Sequence, residues 1–261
     1  MSRRSLLLAL VCFVVGVAAG PALAQAPDAA GLVAKATARN GLGFDQGQAR
    51  VRMQLTDSGG ARKERVLRAR TVRGADGTAR TLLRFLAPAE VQGAAFLLVE
   101  QKGDTPDDMH LYLPALKRTR RISGAQKDGS FMGSDFSYAD MENRDVKSAT
   151  YAPAVDEAVE TVPCWKVEAR SSGDGPWGRL VLWIRKDNGL IEKSEFRDTK
   201  DTLVKVYRLR AFATHEGALV ATEAEMTTVG TGNSTRLSID ELDTRTPQNA
   251  ADFTPENLSR G

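Results

Sequence analysis

The chain has 261 residues, of which 42% are hydrophobic and 26% are charged. Its formal net charge is +3, and two of the positive charges, Arg3 and Arg4, lie next to the amino terminus. This length is enough to bury a hydrophobic core without disulfides, and the balance of charge excludes a strongly basic or strongly acidic protein.

The first two dozen residues have the three parts of a secretory signal peptide. The two arginines precede an apolar run from Leu6 to Ala19, and small residues at Ala22-Leu23-Ala24 form a cleavage site. The run is too short for a stable transmembrane helix, which needs about 20 residues. We therefore expect residues 1–24 to be a signal peptide that is cleaved near Ala24/Gln25. Nucleotide cofactors and nucleic acid are scarce outside the cytoplasm, so binding or carrying is the expected kind of function.

Cleavage would leave Cys164 as the single cysteine, because Cys12 lies inside the apolar run of the signal peptide. One cysteine can form neither an intramolecular disulfide nor a thiolate metal cluster. Cys164 stands in the strand-like run 162–167. We expect a buried thiol rather than a reactive one.

The predicted elements begin with one helix, which Asp28 can cap and which continues to Arg39. After Gln48 the apolar residues recur at every second position, which is typical of half-buried strands. Val51, Met53 and Leu55 mark the first strand. The later strand candidates are residues 65–72, 80–86, 94–100, 109–113, 119–122, 162–169, 178–185, 190–196, 203–213, 219–228 and 235–242.

Turn signals separate these strands, and Asp187-Asn188-Gly189 between two apolar runs predicts a hairpin. Short strands at regular spacing with such turns predict an antiparallel meander. A sheet of this kind must bury one face and protect its edges. A closed barrel, a sandwich, or a strongly curved sheet covered by helices and loops would each do so.

The segment from Arg84 to Met141 has the most distinctive motifs. Tyr112-Leu113-Pro114 ends a strand, because proline cannot donate a hydrogen bond to the next strand. The strand Lys117-Arg118-Thr119-Arg120-Arg121 is basic on both faces, so we expect it at an edge or rim of the sheet. There the basic residues either are simply solvated or bind an anionic head group or a partner. The rim candidates are Lys117, Arg118, Arg120 and Arg121.

The end of this segment, Gly129 to Met141, combines aromatic residues and methionine with glycine and serine. Such a composition is compatible with a flexible lid, since methionine adapts to irregular apolar shapes. It is equally compatible with a loop that packs its own cluster on the sheet. Ser134 and Asp135 can cap a short helix over residues 136–141. The lid candidates are Phe131, Met132, Phe136, Tyr138 and Met141.

These motifs, in this order and with the ending Phe253-Thr254-Pro255-Glu256-Asn257-Leu258, resemble the outer-membrane lipoprotein-sorting protein family, the relatives of LolA and LolB. The resemblance covers most of the chain after the signal peptide. It implies a mainly β fold, in which a curved antiparallel sheet forms an incomplete (half) barrel. An amino-terminal helix and a lid of helices and loops would cover an apolar cavity, all within a single domain of residues 25–261. The implied location is the periplasm, and the implied ligand is a lipid or the acyl chains of a lipoprotein.

The alternation of the strands identifies the side chains that should face such a cavity. An apolar inner face suits an acyl chain, because a chain that fills the cavity is removed from water together with the apolar wall. The cavity candidates are Val51, Met53, Leu55, Leu83, Phe85, Phe96, Leu98, Leu111, Leu113, Trp165, Val167, Leu180, Leu182 and Ile184.

The sequence has no recognisable catalytic motif. Its histidines, His110 and His215, are far apart, and His215-Glu216-Gly217 does not continue as a zinc-protease motif because position 219 is leucine. Neither a nucleophile elbow nor a phosphate-binding loop occurs. We therefore predict a protein that is not an enzyme and has no cofactor and no metal.

The sequence thus predicts a periplasmic carrier or sorting factor that binds lipid or lipoprotein acyl chains for transfer toward the outer membrane. The expected partners are the lipid or acylated lipoprotein, an inner-membrane transporter and an outer-membrane acceptor, with no nucleic acid. One alternative is a regulatory or scaffold module of the same fold that senses lipoproteins or partners a membrane transporter. An exported β-rich hydrolase is the other alternative.

Overall fold

The computed structural model describes residues 27–37, 43–103, 105–142, 149–170 and 177–260. The predicted signal peptide, residues 1–24, lies outside these ranges. Within them, none of the helices combines the length and the apolar character that a membrane span requires.

The predicted helix is α1 (Ala29–Thr37). The Asp28 carboxylate accepts hydrogen bonds from the backbone N–H groups of Ala30 (3.2 Å) and Gly31 (3.0 Å). Asp28 therefore caps the helix as predicted, since these two donors have no partner within the helix itself. The predicted end at Arg39 falls outside the described residues.

Fourteen strands of the described ranges form one antiparallel sheet. In chain order they are β1 (Gly47–Thr56), β2 (Arg62–Arg73), β3 (Ala79–Ala87), β4 (Ala95–Val99), β5 (Asp108–Leu113), β6 (Arg118–Ile122), β7 (Thr150–Tyr151), β8 (Val155–Asp156), β9 (Cys164–Arg170), β10 (Arg179–Arg185), β11 (Ile191–Arg197), β12 (Leu203–His215), β13 (Ala218–Thr228) and β14 (Asn233–Asp243). Short 3₁₀ turns cover Pro114–Leu116, Gly124–Asp128, Phe131–Gly133, Ala139–Met141, Ala250–Asp252 and Pro255–Ser259.

The spatial order of the strands is β6-β5-β4-β3-β2-β1-β14-β13-β12-β11-β10-β9-β7, and β8 also pairs with β9. Two meanders therefore meet where β1 pairs with β14, from Gln48 opposite Asp243 to Thr56 opposite Ser234. The end strands β6 and β7 do not pair with each other in the described part of the chain, so the sheet stays open. The predicted fold class, a mainly β incomplete barrel with one helix, is confirmed.

The basic strand forms the edge β6, as its two charged faces predicted. The Asp187-Asn188-Gly189 hairpin also forms: the Arg185 N–H donates to the Leu190 carbonyl oxygen at 2.8 Å, and Gly189 has a φ of +76°. Such a positive φ is unstrained for glycine. Cys164 is buried on the outer side of β9, and burial raises the pKa of its thiol.

Alternation gives the sheet an apolar concave face and a mixed convex face. Val51 and Met53 point inward from β1, whereas Arg50 and Arg52 point outward. The carboxy-terminal segment covers part of the convex face, where Phe253 packs in one cluster with residues of β3 and β4. The concave face is therefore where a ligand site can form.

Candidate functional site

The concave face of the sheet encloses a cavity of about 370 Å³. Its wall is mostly apolar, and both meanders contribute to it because β1 and β14 join them. The first meander supplies Val51, Met53, Leu67, Leu83, Phe96 and Leu98. The second meander and the residues before it supply Trp177, Leu180, Ile191, Phe196, Tyr207, Ala224, Met226, Leu237 and Ile239.

The predicted cavity residues divide into three groups. Val51, Met53, Leu83, Phe96, Leu98 and Leu180 line the cavity. Leu55, Phe85, Leu111 and Leu113 belong to the apolar cluster around it without lining it. Trp165, Val167, Leu182 and Ile184 instead pack with α1, because the helix lies against β10 and fills that end of the concave face.

The predicted cavity residues do not include the wall that β11 to β14 contribute. Phe196, Tyr207, Met226 and Leu237 all line the cavity. The pairings of Phe196 with Leu180 and of Leu237 with Met53 place them on the inner face of the sheet. Their alternation is visible in the sequence, and extending the inward pattern past β10 would have found them. Burial raises the pKa of the Tyr207 phenol to about 12.

The lid segment, defined here as residues 124–142, is packed tightly on the concave face. Phe131 is 0% exposed, and its ring centroid lies 5.3 Å from that of Phe96, 5.5 Å from that of Tyr138 and 6.0 Å from that of Phe85. Tilted and edge-to-face contacts at such distances are favourable for aromatic rings. Of the two predicted behaviours, the geometry corresponds to the packed loop.

Three of the predicted lid side chains, Phe131, Phe136 and Met141, line the cavity. Tyr138 is buried behind them, and Met132 packs at the edge of the same cluster. The lid segment therefore forms one side of the cavity opposite the sheet.

Asp135 fastens the lid segment to the second meander. Its carboxylate accepts hydrogen bonds from the hydroxyl groups of Thr228 (2.6 Å) and Thr235 (2.7 Å). The prediction that Ser134 and Asp135 cap a helix over residues 136–141 is wrong, and only a short 3₁₀ turn, Ala139–Met141, forms there. The physical reason is that the two hydroxyl donors on β13 and β14 engage the Asp135 carboxylate.

Two arginines fasten the lid segment to the first meander. Arg65 of β2 donates to the carbonyl oxygen of Met132, and the Arg120 guanidinium of β6 lies beside the Tyr138 hydroxyl. Burial raises the pKa of Tyr138, and the Arg120 guanidinium opposes that rise. Burial also lowers the pKa of Arg65.

The four predicted rim residues lie on different sides of the edge strand β6 or just before it. Arg118 and Arg120 pair with Leu113 and Leu111, so they share the concave face with those leucines. Arg121 lies on the other face, where its Nε donates to Asp108 Oδ1 at 2.6 Å. Lys117 precedes β6 in a left-handed conformation and is exposed.

Two buried ion pairs hold the end of the lid segment. Lys205 Nζ lies 2.9 Å from Asp140 Oδ2, and the Lys127 ammonium contacts the Glu142 carboxylate. The side chains of both pairs are 12% exposed or less. Lys205 Nζ also lies 5.1 Å from the centre of the Trp177 ring, a cation–π distance. Asp140 and Glu142 themselves line the cavity.

The described residues offer few groups for chemistry beyond binding. Across the described ranges, no group of three or more His, Cys, Asp or Glu side chains is arranged to hold a metal ion. His110 Nε2 lies 2.9 Å from Asp108 Oδ2, next to Arg121 at the sheet edge and outside the cavity lining. Its neighbours include no nucleophile in hydrogen-bond contact among the described residues.

Comparison with known proteins identifies the family. A family model described as an uncharacterized protein matches residues 77–260. A crystal structure of a DUF1329 family protein from Desulfovibrio piger ATCC 29098 superposes with a TM-score of 0.80 at 27% sequence identity, covering 88% of this chain and 97% of that one. The chain belongs to the DUF1329 family. No curated protein matches it significantly.

Two further structures relate this DUF1329 chain to the family that its motifs resemble. A putative outer membrane lipoprotein-sorting protein domain from Vibrio parahaemolyticus has a TM-score of 0.81 and 28% identity, covering 89% of this chain and all of that one (100%). The LolA superfamily protein NE2245 from Nitrosomonas europaea has a TM-score of 0.67 at 18% identity, covering 88% and 98% of the two chains. The predicted resemblance is confirmed.

Proposed function

We propose that this DUF1329 protein is a periplasmic carrier that binds a lipid, or the acyl chains of a lipoprotein, and passes it toward the outer membrane. The observation that carries the proposal is the cavity of about 370 Å³ between the sheet and the lid segment, with its mainly apolar wall. Its volume lies in the range of ligand pockets, about 300–1,000 Å³. The similarity to a lipoprotein-sorting domain supports the same role.

The size of the cavity suits one alkyl chain. A methylene group is similar in size to a water molecule, whose share of liquid volume is about 30 Å³. The cavity of about 370 Å³ therefore has room for roughly a dozen chain atoms. Each buried methylene contributes about 0.8 kcal/mol, so a chain of this length can offset a large part of the cost of leaving a membrane.

The cavity can be tested by filling it. Ala224 lines the cavity from β13, and we propose Ala224→Phe to occupy the space that the ligand needs. Ala213→Phe is the matched control, because Ala213 is exposed on β12. Native mass spectrometry of each variant, exported and gently purified, should show bound lipid on the wild type and on Ala213→Phe but not on Ala224→Phe. Equal lipid occupancy of all three proteins, or a lipid-free wild type, would refute the proposal.

The proposed partners are an inner-membrane transporter that loads the carrier and an outer-membrane acceptor. The basic edge β6 is the surface that favours such docking, since Lys117, Arg118 and Arg121 are exposed at an open end of the sheet. Charge reversal of Lys117 and Arg118 should abolish capture of the partner while lipid occupancy stays unchanged. The scaffold role makes a different prediction: the lipid-free Ala224→Phe variant should still capture the partner. Unchanged capture by the charge-reversed protein would contradict docking at β6.

A further inference from the structure

Asp140 is a charged residue in the mostly apolar wall of the cavity. The Asp140 side chain is 4% exposed and lines the cavity beside Met141. Its Oδ2 accepts hydrogen bonds from Lys205 Nζ (2.9 Å) and from the Ser137 backbone N–H (2.7 Å). Its Oδ1 is buried and accepts no hydrogen bond from any part of the chain that the structure describes. Buried polar atoms in native proteins nearly always have a partner.

The neighbouring groups fix the orientation of this carboxylate. Lys205 is held over the Trp177 ring, and the Ser137 N–H belongs to the packed part of the lid segment. Both groups donate hydrogen bonds to Oδ2, so rotation of the carboxylate would break two hydrogen bonds. Oδ1 is therefore left as a fixed acceptor without a hydrogen bond, on a residue that lines the cavity.

Apart from the Tyr207 phenol, the other ionisable groups of the lining are also carboxylic acids. Glu100, Asp107 and Glu142 line the cavity with Asp140, and the described lining includes no lysine or arginine. Glu142 is bonded to Lys127, and Glu100 and Asp107 accept from backbone N–H groups. Lys205, Lys127 and Arg73 pair with Asp140, Glu142 and Glu100, but none of these cations lines the cavity. The wall therefore presents carboxylate oxygens rather than cations to a ligand, which disfavours phosphate and carboxylate head groups.

We propose that Asp140 Oδ1 is a head-group subsite that accepts a hydrogen bond from a hydroxyl or ammonium group. The proposal rests on the proposed function, because it takes the apolar wall to hold the alkyl chain of the same ligand. The ligand class is then a single-chain amphiphile with a neutral or cationic head that donates a hydrogen bond. The chain would extend from Asp140 past Trp177 and Phe196 toward Met226, all of which line the same cavity.

Two isomers test the subsite in the wild-type protein. Decan-1-ol and 1-methoxynonane have the same atoms and nearly the same shape, but only the alcohol donates a hydrogen bond. A hydrogen bond to a charged acceptor should make decan-1-ol bind at least about tenfold more tightly by isothermal titration calorimetry. Decylammonium is the cationic ligand of the same titration series, and decanoate is the anionic ligand. A tighter complex with the ammonium ion than with the alcohol identifies a cationic head, and decanoate should bind most weakly.

The variant Asp140→Asn should remove the preference, because its amide can present a donor in place of Oδ1. The tenfold ratio between the isomers should fall to about twofold or less. Asp128→Asn is the matched control: Asp128 belongs to the same lid segment but is exposed and does not line the cavity, so its ratio should stay near tenfold. Thermal melts identify any variant that has lost its fold, and the wild-type ratio tests the proposal without a variant.

The outcomes separate this proposal from the carrier function. Equal affinity of the two isomers for the wild type, as expected if the head group does not reach Oδ1, overturns the subsite and leaves the alkyl-binding cavity intact. Preferential binding of decanoate overturns it as well. Failure of all four compounds to bind overturns both the subsite and the proposed function.

Discussion

The packing of the lid segment predicts a large loss of stability when Phe131 is replaced by alanine. The ring is 0% exposed and contacts three other aromatic rings at 5.3–6.0 Å. Truncation of a buried phenylalanine costs about 3–5 kcal/mol, which is a large part of a total stability of about 5–15 kcal/mol. Urea unfolding, followed by circular dichroism, should therefore show that Phe131→Ala lowers the free energy of unfolding by about 3–5 kcal/mol.

Phe212→Ala is the control for this measurement. Phe212 is 38% exposed on β12, and its main contact is a cation–π interaction with Arg185 at 4.9 Å. Its truncation should cost less than about 1 kcal/mol. If Phe131→Ala costs no more than Phe212→Ala, the lid segment opens without unfolding the sheet. That result would refute the inference that it is an integral part of the core.

Three other predictions concern the cavity and the residues around it. In a series of primary alcohols, each added methylene should strengthen binding about fourfold, until roughly a dozen chain atoms fill the cavity. Lys127→Met should lower the free energy of unfolding by about 3–5 kcal/mol, because it leaves the Glu142 carboxylate buried without its cation. Tyr207 has a pKa of about 12 in the folded protein, so the unfolded state loses this proton first as the pH rises above 10. Stability should then fall between pH 10 and 12 by about 2–3 kcal/mol, and Tyr207→Phe should remove that part of the decrease.

Each of these predictions has a result that contradicts it. Affinity that does not change with chain length would mean that the alcohols bind outside the cavity. An unchanged urea midpoint for Lys127→Met would mean that the pair with Glu142 contributes nothing to stability. Identical pH profiles for the wild type and Tyr207→Phe would show that the phenol is not shielded from water. The double variant Lys127→Met/Glu142→Gln should regain stability relative to the single one, because it removes the uncompensated charge.

Local patterns were sufficient to predict most of the strands and one edge of the sheet. The alternation of Val51, Met53 and Leu55 gives both the strand and its inner face, because side chains alternate across a sheet. The basic strand Arg118–Ile122 was placed at an edge because neither of its faces could be buried. The Asp28 cap was predicted for a similar reason, since the carboxylate and its two N–H donors lie within three residues of each other.

Contacts between distant parts of the chain could not be predicted in this way. Asp135 bonds to Thr228 and Thr235, which are 93 and 100 residues away, so its local tendency to cap a helix is overridden. Likewise, α1 lies against β10 and covers Val167 and Leu182, although nothing in their own strands distinguishes them from true cavity residues. Alternation predicts the face of the sheet on which a side chain lies. The segment that covers that face comes from elsewhere in the chain, so alternation does not predict it.

The position of the cavity follows from the volume of the side chains along the inner face of the sheet. At one end of that face Phe85, Phe96 and Phe131 fill the space between the sheet and the lid segment. Farther across the sheet, the inner positions of β11 and β13 include Ser194 and Ala224, which line the cavity. Small side chains there leave a gap that large ones would close, since protein interiors are otherwise packed to the density of organic crystals. The same residues that give the sheet its alternation thus decide, by their size, where the sheet and the lid segment pack together and where they leave a cavity.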